Sequence, residues 1–308
     1  MSRRRIRGLL ALAFVGVAVA FVVATALEGR QSDASPAGDS LSSAAAKSAP
    51  ALPATDAFDD ARAWKGLKRQ VALGERPTGS PSARRLSRWA RQQLPRGRFE
   101  SVDGGARNVV GTIPGTRPAI VVAAHYDTKA MKGFVGANDG ASGTAVVLEL
   151  ARIMRSMRRP KHAPELRFVL FDGEESPDDA RDFYSTGLRG SRAYARRHRD
   201  EIRAVVVLDM IGDRNLLIPR ESSSDPRLWG KLRRAAREVG TAKHFPSQTR
   251  GAILDDHTPF QVAGLPAIDV IDFTFSCWHK TCDDLSAVSP KSLDIVGETV
   301  TEMLKTWR

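Results

Sequence analysis

Residues 119–124, 166–171, 204–208 and 267–271 are short, largely apolar runs rich in β-branched side chains, with helical patterns between them. A run that is apolar on consecutive positions belongs in a strand covered on both faces, because a half-solvated strand would alternate apolar with polar. Between the runs, Val146, Leu150, Ile153 and Met157 are spaced four, three and four apart, and Val296, Val300, Met303 and Trp307 repeat that spacing. Such a stripe lies along one face of a helix. Ser289-Pro290 opens the second of these helices with a capping residue and a Pro at the first helical position. Helices are also expected from about Ala57 to Leu73 and from Pro81 to Leu94, ahead of the first strand. The pattern predicts a single α/β domain built on a mostly parallel, mixed central sheet with helices on both faces. In open sheets of this kind, ligands bind beyond the carboxyl ends of the strands.

Composition supports a packed domain. The 308 residues are 42% hydrophobic and include five Trp and twelve Phe, which excludes global disorder. Two Cys exclude a disulfide scaffold and any four-cysteine zinc site. The net charge of +12 raises nucleic acid as a partner. Its Arg residues are spread along the chain, however, with neither an aromatic-interleaved basic motif nor a Gly-rich phosphate loop, so nucleic-acid binding is not expected.

The N-terminus accounts for part of the charge. Arg3, Arg4, Arg5 and Arg7 precede an uncharged apolar run of nineteen residues, Leu9 to Leu27. A cationic start followed by such a run describes a cleavable signal, with Ala24-Thr25-Ala26 as its small-residue site, or an uncleaved signal anchor. Either one exports the rest of the chain, as a secreted protein or as a membrane-anchored one facing outward. Residues 1–28 are therefore expected to be signal or anchor. Residues 29–56, rich in Ser, Ala and Pro, are expected to be a disordered linker, leaving 57–308 for the folded domain.

Each strand-like run stops at residues able to do chemistry. The first ends in His125-Tyr126-Asp127, the second in Asp172-Gly173-Glu174-Glu175, the third in Asp209-Met210-Ile211-Gly212. A loop after the fourth carries Cys277-Trp278-His279, and Gly136-Ala137-Asn138-Asp139-Gly140 stands just before a helix. One acid after a strand is ordinarily a helix cap, and one His is ordinarily a surface residue. Four strand ends offering His, Asp or Glu at one rim instead form an N/O ligand set, as a catalytic zinc site requires.

This order of motifs, HYD, NDG, DGEE, LDMIG, DDHTPF and WHKTCDD, with Leu73–Ser80 upstream, resembles metallopeptidase family 28, the zinc aminopeptidases and glutaminyl cyclases. The resemblance spans about residues 57–308. It implies that Asp139, Glu175 and His279 hold zinc with an open position, and that Glu174 is the general acid/base. It further implies that His125 and Asp209 hold a second zinc in the aminopeptidases, with Asp139 bridging, whereas the cyclases keep one ion. Asp127 would orient His125. The implied substrates and partners are peptide or protein N-termini, and a membrane if the N-terminal segment stays uncleaved.

Markers of both branches are present. Asp255-Asp256-His257 and Trp278 resemble the cyclases, where the residue matching Asp255 joins Asp209 and Glu174 in a proton-moving carboxylate network and the indole lines the pocket. The stretch 176–180 lacks the Trp of animal cyclases, and Cys277 and Cys282 resemble some secreted bacterial aminopeptidases. For those cysteines, five apart in an exported chain, a local disulfide stiffening the His279 loop is the expected state, with zinc ligation as the alternative. Asp255 as a helix cap and Trp278 as a core aromatic are the structural alternatives. His257 is expected to support the site rather than ligate, and His162, His198 and His244 to lie on the surface. The preferred reading is glutaminyl-peptide cyclisation. Aminopeptidase action is the alternative, and a catalytically silent ectodomain the third, disfavoured because every ligand position is filled.

Overall fold

The structure is a computed structural model that describes residues 55–177 and 181–307. The expected signal or anchor, and all of the expected linker before Thr55, lie outside the described residues. Among the described residues no helix is long and apolar enough to cross a membrane.

In chain order the elements are α1 (Asp60–Val71), α2 (Pro81–Gln93), β1 (Arg98–Ser101), β2 (Arg107–Ile113), β3 (Thr116–His125), α3 (Ala141–Ser156), β4 (Pro164–Phe171) and α4 (Phe183–Thr186). There follow α5 (Arg189–His198), β5 (Ile202–Asp209), β6 (Arg220–Glu221), α6 (Pro226–Glu238), β7 (Thr249–Arg250), α7 (Thr258–Val262), β8 (Ala267–Ile271) and α8 (Pro290–Lys305). All four apolar runs become strands. Helices α1, α2 and α8 open on the capping residues that their sequences offer. Asp59 accepts the Arg62 N–H at 2.9 Å, Ser80 that of Ala83 at 3.1 Å, and Ser289 that of Lys291 at 3.2 Å.

The main sheet runs β1-β2-β4-β3-β5-β8, with β4, β3, β5 and β8 parallel to one another and β1 and β2 antiparallel at one edge. That antiparallel edge is absent from the sequence reading. The outer strand β1, Arg-Phe-Glu-Ser, is buried at no position, while β2 buries Asn108 to Gly111 between β1 and β4.

Period-two alternation sorts the central strands between two cores. Ile120, Val122, Ala124, Val206 and Leu208 pack with residues of α1, α2, α3, α6 and α8. Val121, Ala123, Val205 and Val207 pack instead with Tyr194 and Ala195 of α5 and Phe260 of α7. Both faces are thus closed, and the parallel strands point their carboxyl ends at one rim.

Helix α3 is seated hard against that rim by its glycines. A Cβ on Gly143 would stand 2.0 Å from the Leu208 carbonyl oxygen, and one on Gly140, at φ +90°, 2.7 Å from that of Asp127. Only a residue without a side chain lets the helix start so close to β3 and β5. Asp139, immediately before it, is thereby held beside His125.

Candidate active site

Five of the expected ligands converge. His125, closing β3 and 1% exposed, places Nε2 3.1 Å from Asp209 Oδ1 at the end of β5 and 3.2 Å from Asp139 Oδ1. His279 Nε2 stands 3.6 Å from Asp139 Oδ2 and 3.4 Å from Glu175 Oε2. Two groups able to hold a cation, His125–Asp139–Asp209 and Asp139–Glu175–His279, therefore share Asp139. Glu175 Oε1 is buried with no hydrogen-bond partner, a state that suits a carboxylate built to face a cation. Met210 and His279, both at the site, take left-handed backbone at φ 45° and 51°. Non-glycine residues held in that conformation cost energy and gather at functional sites.

The surrounding residues fix this arrangement. Asp127 accepts the backbone N–H groups of Glu174 and Glu175, each at 3.3 Å, and the Thr78 hydroxyl at 3.1 Å. Its Oδ1 is 3.7 Å from His125 Nδ1, so it braces the Glu-Glu pair as well as the imidazole for which it was expected. Asp283 accepts the N–H groups of Asn138 and Asp139 at 2.7 and 3.0 Å. Arg76, wholly buried, donates to the carbonyls of Gly74, Val135 and Gly136 and pins the loop between His125 and Asp139. Burial draws its guanidinium down to about 10, against the pull of Asp283, Asp127 and Asp139. Lys129 Nζ lies 3.7 Å from Glu175. Neither Asp283 nor Lys129 was singled out from sequence, although Asp283 stands in the quoted WHKTCDD motif.

A cavity of about 510 Å³ opens over the cluster. Asp139, Glu174, Glu175, Asp209, Asp255 and His279 line one part of it, and Met210, Ile253, Ile271, Phe273 and Trp278 another. Glu174 is held well above the usual carboxylate range by burial, with His125 pulling it down and Glu175, Asp255 and Asp256 pushing it up. Burial, then the charge of Asp209, raises Asp255 to about 6. The helix-cap alternative for Asp255 fails. Its backbone carbonyl receives the Thr258 N–H, no side chain caps α7, and the carboxylate is left to the cavity. Trp278 is 43% exposed and stacks on His279 with ring centroids 4.4 Å apart, so it is a cavity wall rather than a core aromatic. Cys277 and Cys282 are joined in a disulfide directly flanking the Trp278-His279 pair.

Behind Asp255 lies a third buried group. His257 Nδ1 is 3.6 Å from Asp269 Oδ2, while its Nε2 meets Ser223 Oγ at 2.9 Å and lies 3.5 Å from Glu221. His257, expected to support the site rather than ligate, stands with Asp255 and Asp269 in a group whose donors could themselves hold a cation; Asp269, in the middle of an apolar strand, was passed over. Two of the expected surface histidines are corrected. His244 is buried and bonded to the Leu216 carbonyl at 3.0 Å, and His198 is half-buried against Glu100 at 2.9 Å. The polar neighbours that suggested exposure turn outward while these imidazoles turn in. His162 is exposed.

The model of Peptidase family M28 matches residues 108–304, more than half of the chain. A glutaminyl-peptide cyclotransferase of Boiga irregularis is 29% identical over 62% of this chain and 62% of its own length. Aminopeptidase YwaD of Bacillus subtilis is 30% identical over 59% of this chain and 39% of its own. The match thus spans less than two thirds of these curated relatives. Among solved structures, an Acidobacteriales bacterium glutaminyl cyclase superposes with a TM-score of 0.70 at 28% identity, covering 86% of this chain and 98% of that one. Fold, rim and motif order agree with the family match: the chain belongs to peptidase family M28.

Proposed function

We propose that this chain is a zinc-dependent enzyme of peptide N-termini and that it converts N-terminal glutamine to pyroglutamate with release of ammonia. The observation that carries the reading is Asp255, whose buried carboxylate lines the same cavity as Glu174 and Asp209, beside Trp278. The names of the cyclase relatives support it.

Asp139, Glu175 and His279 would hold the zinc, which when bound supplies Lewis-acid polarisation of the γ-carboxamide oxygen. The α-amine nitrogen attacks the carbonyl carbon of that carboxamide (Cδ), forming the ring C–N bond as the bond from Cδ to the amide nitrogen breaks. Glu174 accepts the proton that the amine loses and returns it to the amide nitrogen, which leaves as ammonia. A carboxyl raised by burial and by neighbouring acids suits this exchange, since it neither holds its proton too weakly nor gives it up to bulk water. Asp255, with Glu175 and Asp256, keeps Glu174 in that state by its charge, Asp209 in turn raises Asp255, and the Trp278 indole walls the pocket.

Aminopeptidase action is the second reading, favoured by the intact His125–Asp139–Asp209 group, which would hold a second zinc. Glu174 would then take a proton from the water that attacks the scissile carbonyl.

Zinc content measured beside turnover of an N-terminal Gln peptide and of a Leu anilide tests the choice. The cyclase reading expects ammonia release from the Gln peptide well above its spontaneous rate. Efficient hydrolysis of the anilide with no acceleration of the Gln peptide would overturn it. Residues 1–28 we read as signal or anchor and 29–56 as linker, so the domain acts outside the cytoplasm; N-terminal sequencing of the exported protein distinguishes cleavage after Ala26 from retention.

A further inference from the structure

The positive charge of the folded part is concentrated on two helices. Helix α1 exposes Arg62, Lys65, Lys68 and Arg69, and helix α2 exposes Arg84, Arg85, Arg88 and Arg91. Against these eight cations the two helices carry one acid, Asp60, so they hold a surplus of seven in a chain whose total is +12. Arg62, Lys65 and Arg69 are three and four positions apart, and Arg84, Arg88 and Arg91 four and three, so each set is a stripe along its helix. Arg62, Lys65 and Arg69 line a hollow of about 290 Å³ together with Trp89 of α2, and the Arg69 guanidinium lies over the Trp89 ring at 5.1 Å. Of the eight, only Arg62 meets carboxylates, Asp59 at 3.6 Å and Glu149 at 3.9 Å; the other seven form no ion pair among the described residues. Elsewhere Arg98, Arg117, Arg152, Arg167 and Arg197 each have a carboxylate partner. Like charges gathered without counter-charge repel one another, and an anionic surface laid against them relieves that repulsion.

We propose that the α1–α2 face is a docking surface for an anionic phospholipid bilayer. Its arginines take lipid phosphates in paired, charge-assisted hydrogen bonds, and its lysines add point charges. The occupant follows from charge complementarity and from the place of α1 in the chain. Helix α1 begins at Asp60, directly after residues 29–56, the stretch read as a linker from a signal or anchor. A bilayer is thus the anionic surface that this end of the domain meets first, and a retained anchor would keep it in reach by raising its effective concentration. Nucleic acid offers phosphates too, but the N-terminal segment sends the domain out of the compartment that holds it. The inference does not depend on which peptide chemistry the cavity performs.

The test is co-sedimentation of the exported protein with vesicles of phosphatidylcholine alone and of phosphatidylcholine with about one third phosphatidylglycerol. The anionic-to-neutral binding ratio is taken within each variant, which cancels what an apolar N-terminal segment contributes to both vesicles. Each basic side chain near such a surface strengthens binding about fivefold, so Arg85→Gln with Arg88→Gln lowers the ratio by about tenfold or more. Arg85→Lys with Arg88→Lys keeps most of it, because the charge remains. Arg196→Gln with Arg199→Gln removes the same charge from exposed positions at the end of α5, on the other side of the sheet. That pair leaves the ratio within about twofold of wild type. At about 0.5 M salt the wild-type ratio falls towards one, since screening shortens the reach of the charges. A wild-type ratio near one at low salt, or an equal fall in the α5 variant, would overturn the docking surface. So would a short duplex DNA that strips the protein from anionic vesicles at equal phosphate concentration, which would assign the face to nucleic acid.

Discussion

Asp283 accepts the backbone N–H of Asp139 at 3.0 Å, across 144 positions of sequence. The residue that joins both candidate ligand groups is thus held by the same loop that carries His279. Asp283 also takes the Asn138 N–H, and it is itself fully buried. In Asp283→Ala two buried donors lose their acceptor. We expect a loss of roughly 2–4 kcal/mol in stability and a drop of about 10–100-fold in metal affinity. Thermal unfolding and competition with a chelator read the two effects; wild-type values in both would show that Asp139 needs no such anchor.

Asp139→Ala and His279→Ala should each lose zinc and turnover together, because each removes one of three protein ligands proposed for the ion. Elemental analysis of the purified variants, set beside their activity, checks this. Stoichiometric zinc with near-normal turnover in either variant would remove the ligand assignment.

Glu174→Gln keeps size and hydrogen bonding but cannot exchange a proton. Its kcat should fall by at least ~10²-fold with zinc retained, under either chemistry. Asp255→Ala separates the two. A cyclase loses most of its turnover of N-terminal Gln at unchanged metal content, whereas hydrolysis of a Leu anilide, if that is the activity, largely persists.

Asp294 carries a pH prediction away from the metal groups. Burial, then the charges of Asp60, Glu298 and Asp56, raises it from 3.8 to about 7. Folding therefore disfavours its ionised form. The cost is absent below pH 3.8, grows as pH rises towards 7, and is complete above that. Because Asp294 is only half-buried, solvent screens much of this, and Asp294→Asn should gain about 1–2 kcal/mol at pH 8 and almost nothing at pH 4. Thermal melts at the two pH values measure it as a rise of roughly 2–6 °C at the upper one only. An equal shift at both would show that charge is not the cause.

The sheet was legible where strands are covered on both faces. Val121 and Val122 must both be apolar because successive side chains enter different cores, and that requirement is written locally. The β1–β2 edge was not legible. Residues such as Arg98 and Asn108 pair as strands only because β4 offers Leu170 opposite Val109 and β2 then offers Asn108 opposite Glu100. Pairing partners of that kind leave no mark on a four-residue sequence.

The same division holds at the site. His125, Asp139, Glu174, Glu175, Asp209, Asp255 and His279 could be named from sequence, since each stands in a short motif and most of them close a strand or open a helix. What sequence determined is the identity of these groups and the rim they share, because strand direction is a local property and parallel strands end together. Only the tertiary structure decided which of them touch, that Asp283 and Asp127 hold them by their backbones, that Asp269 sits behind Asp255, and that Arg69 and Trp89 line one hollow. Those relations join residues scores of positions apart, and a hydrogen bond or a shared cavity depends on a distance in space that no local pattern encodes.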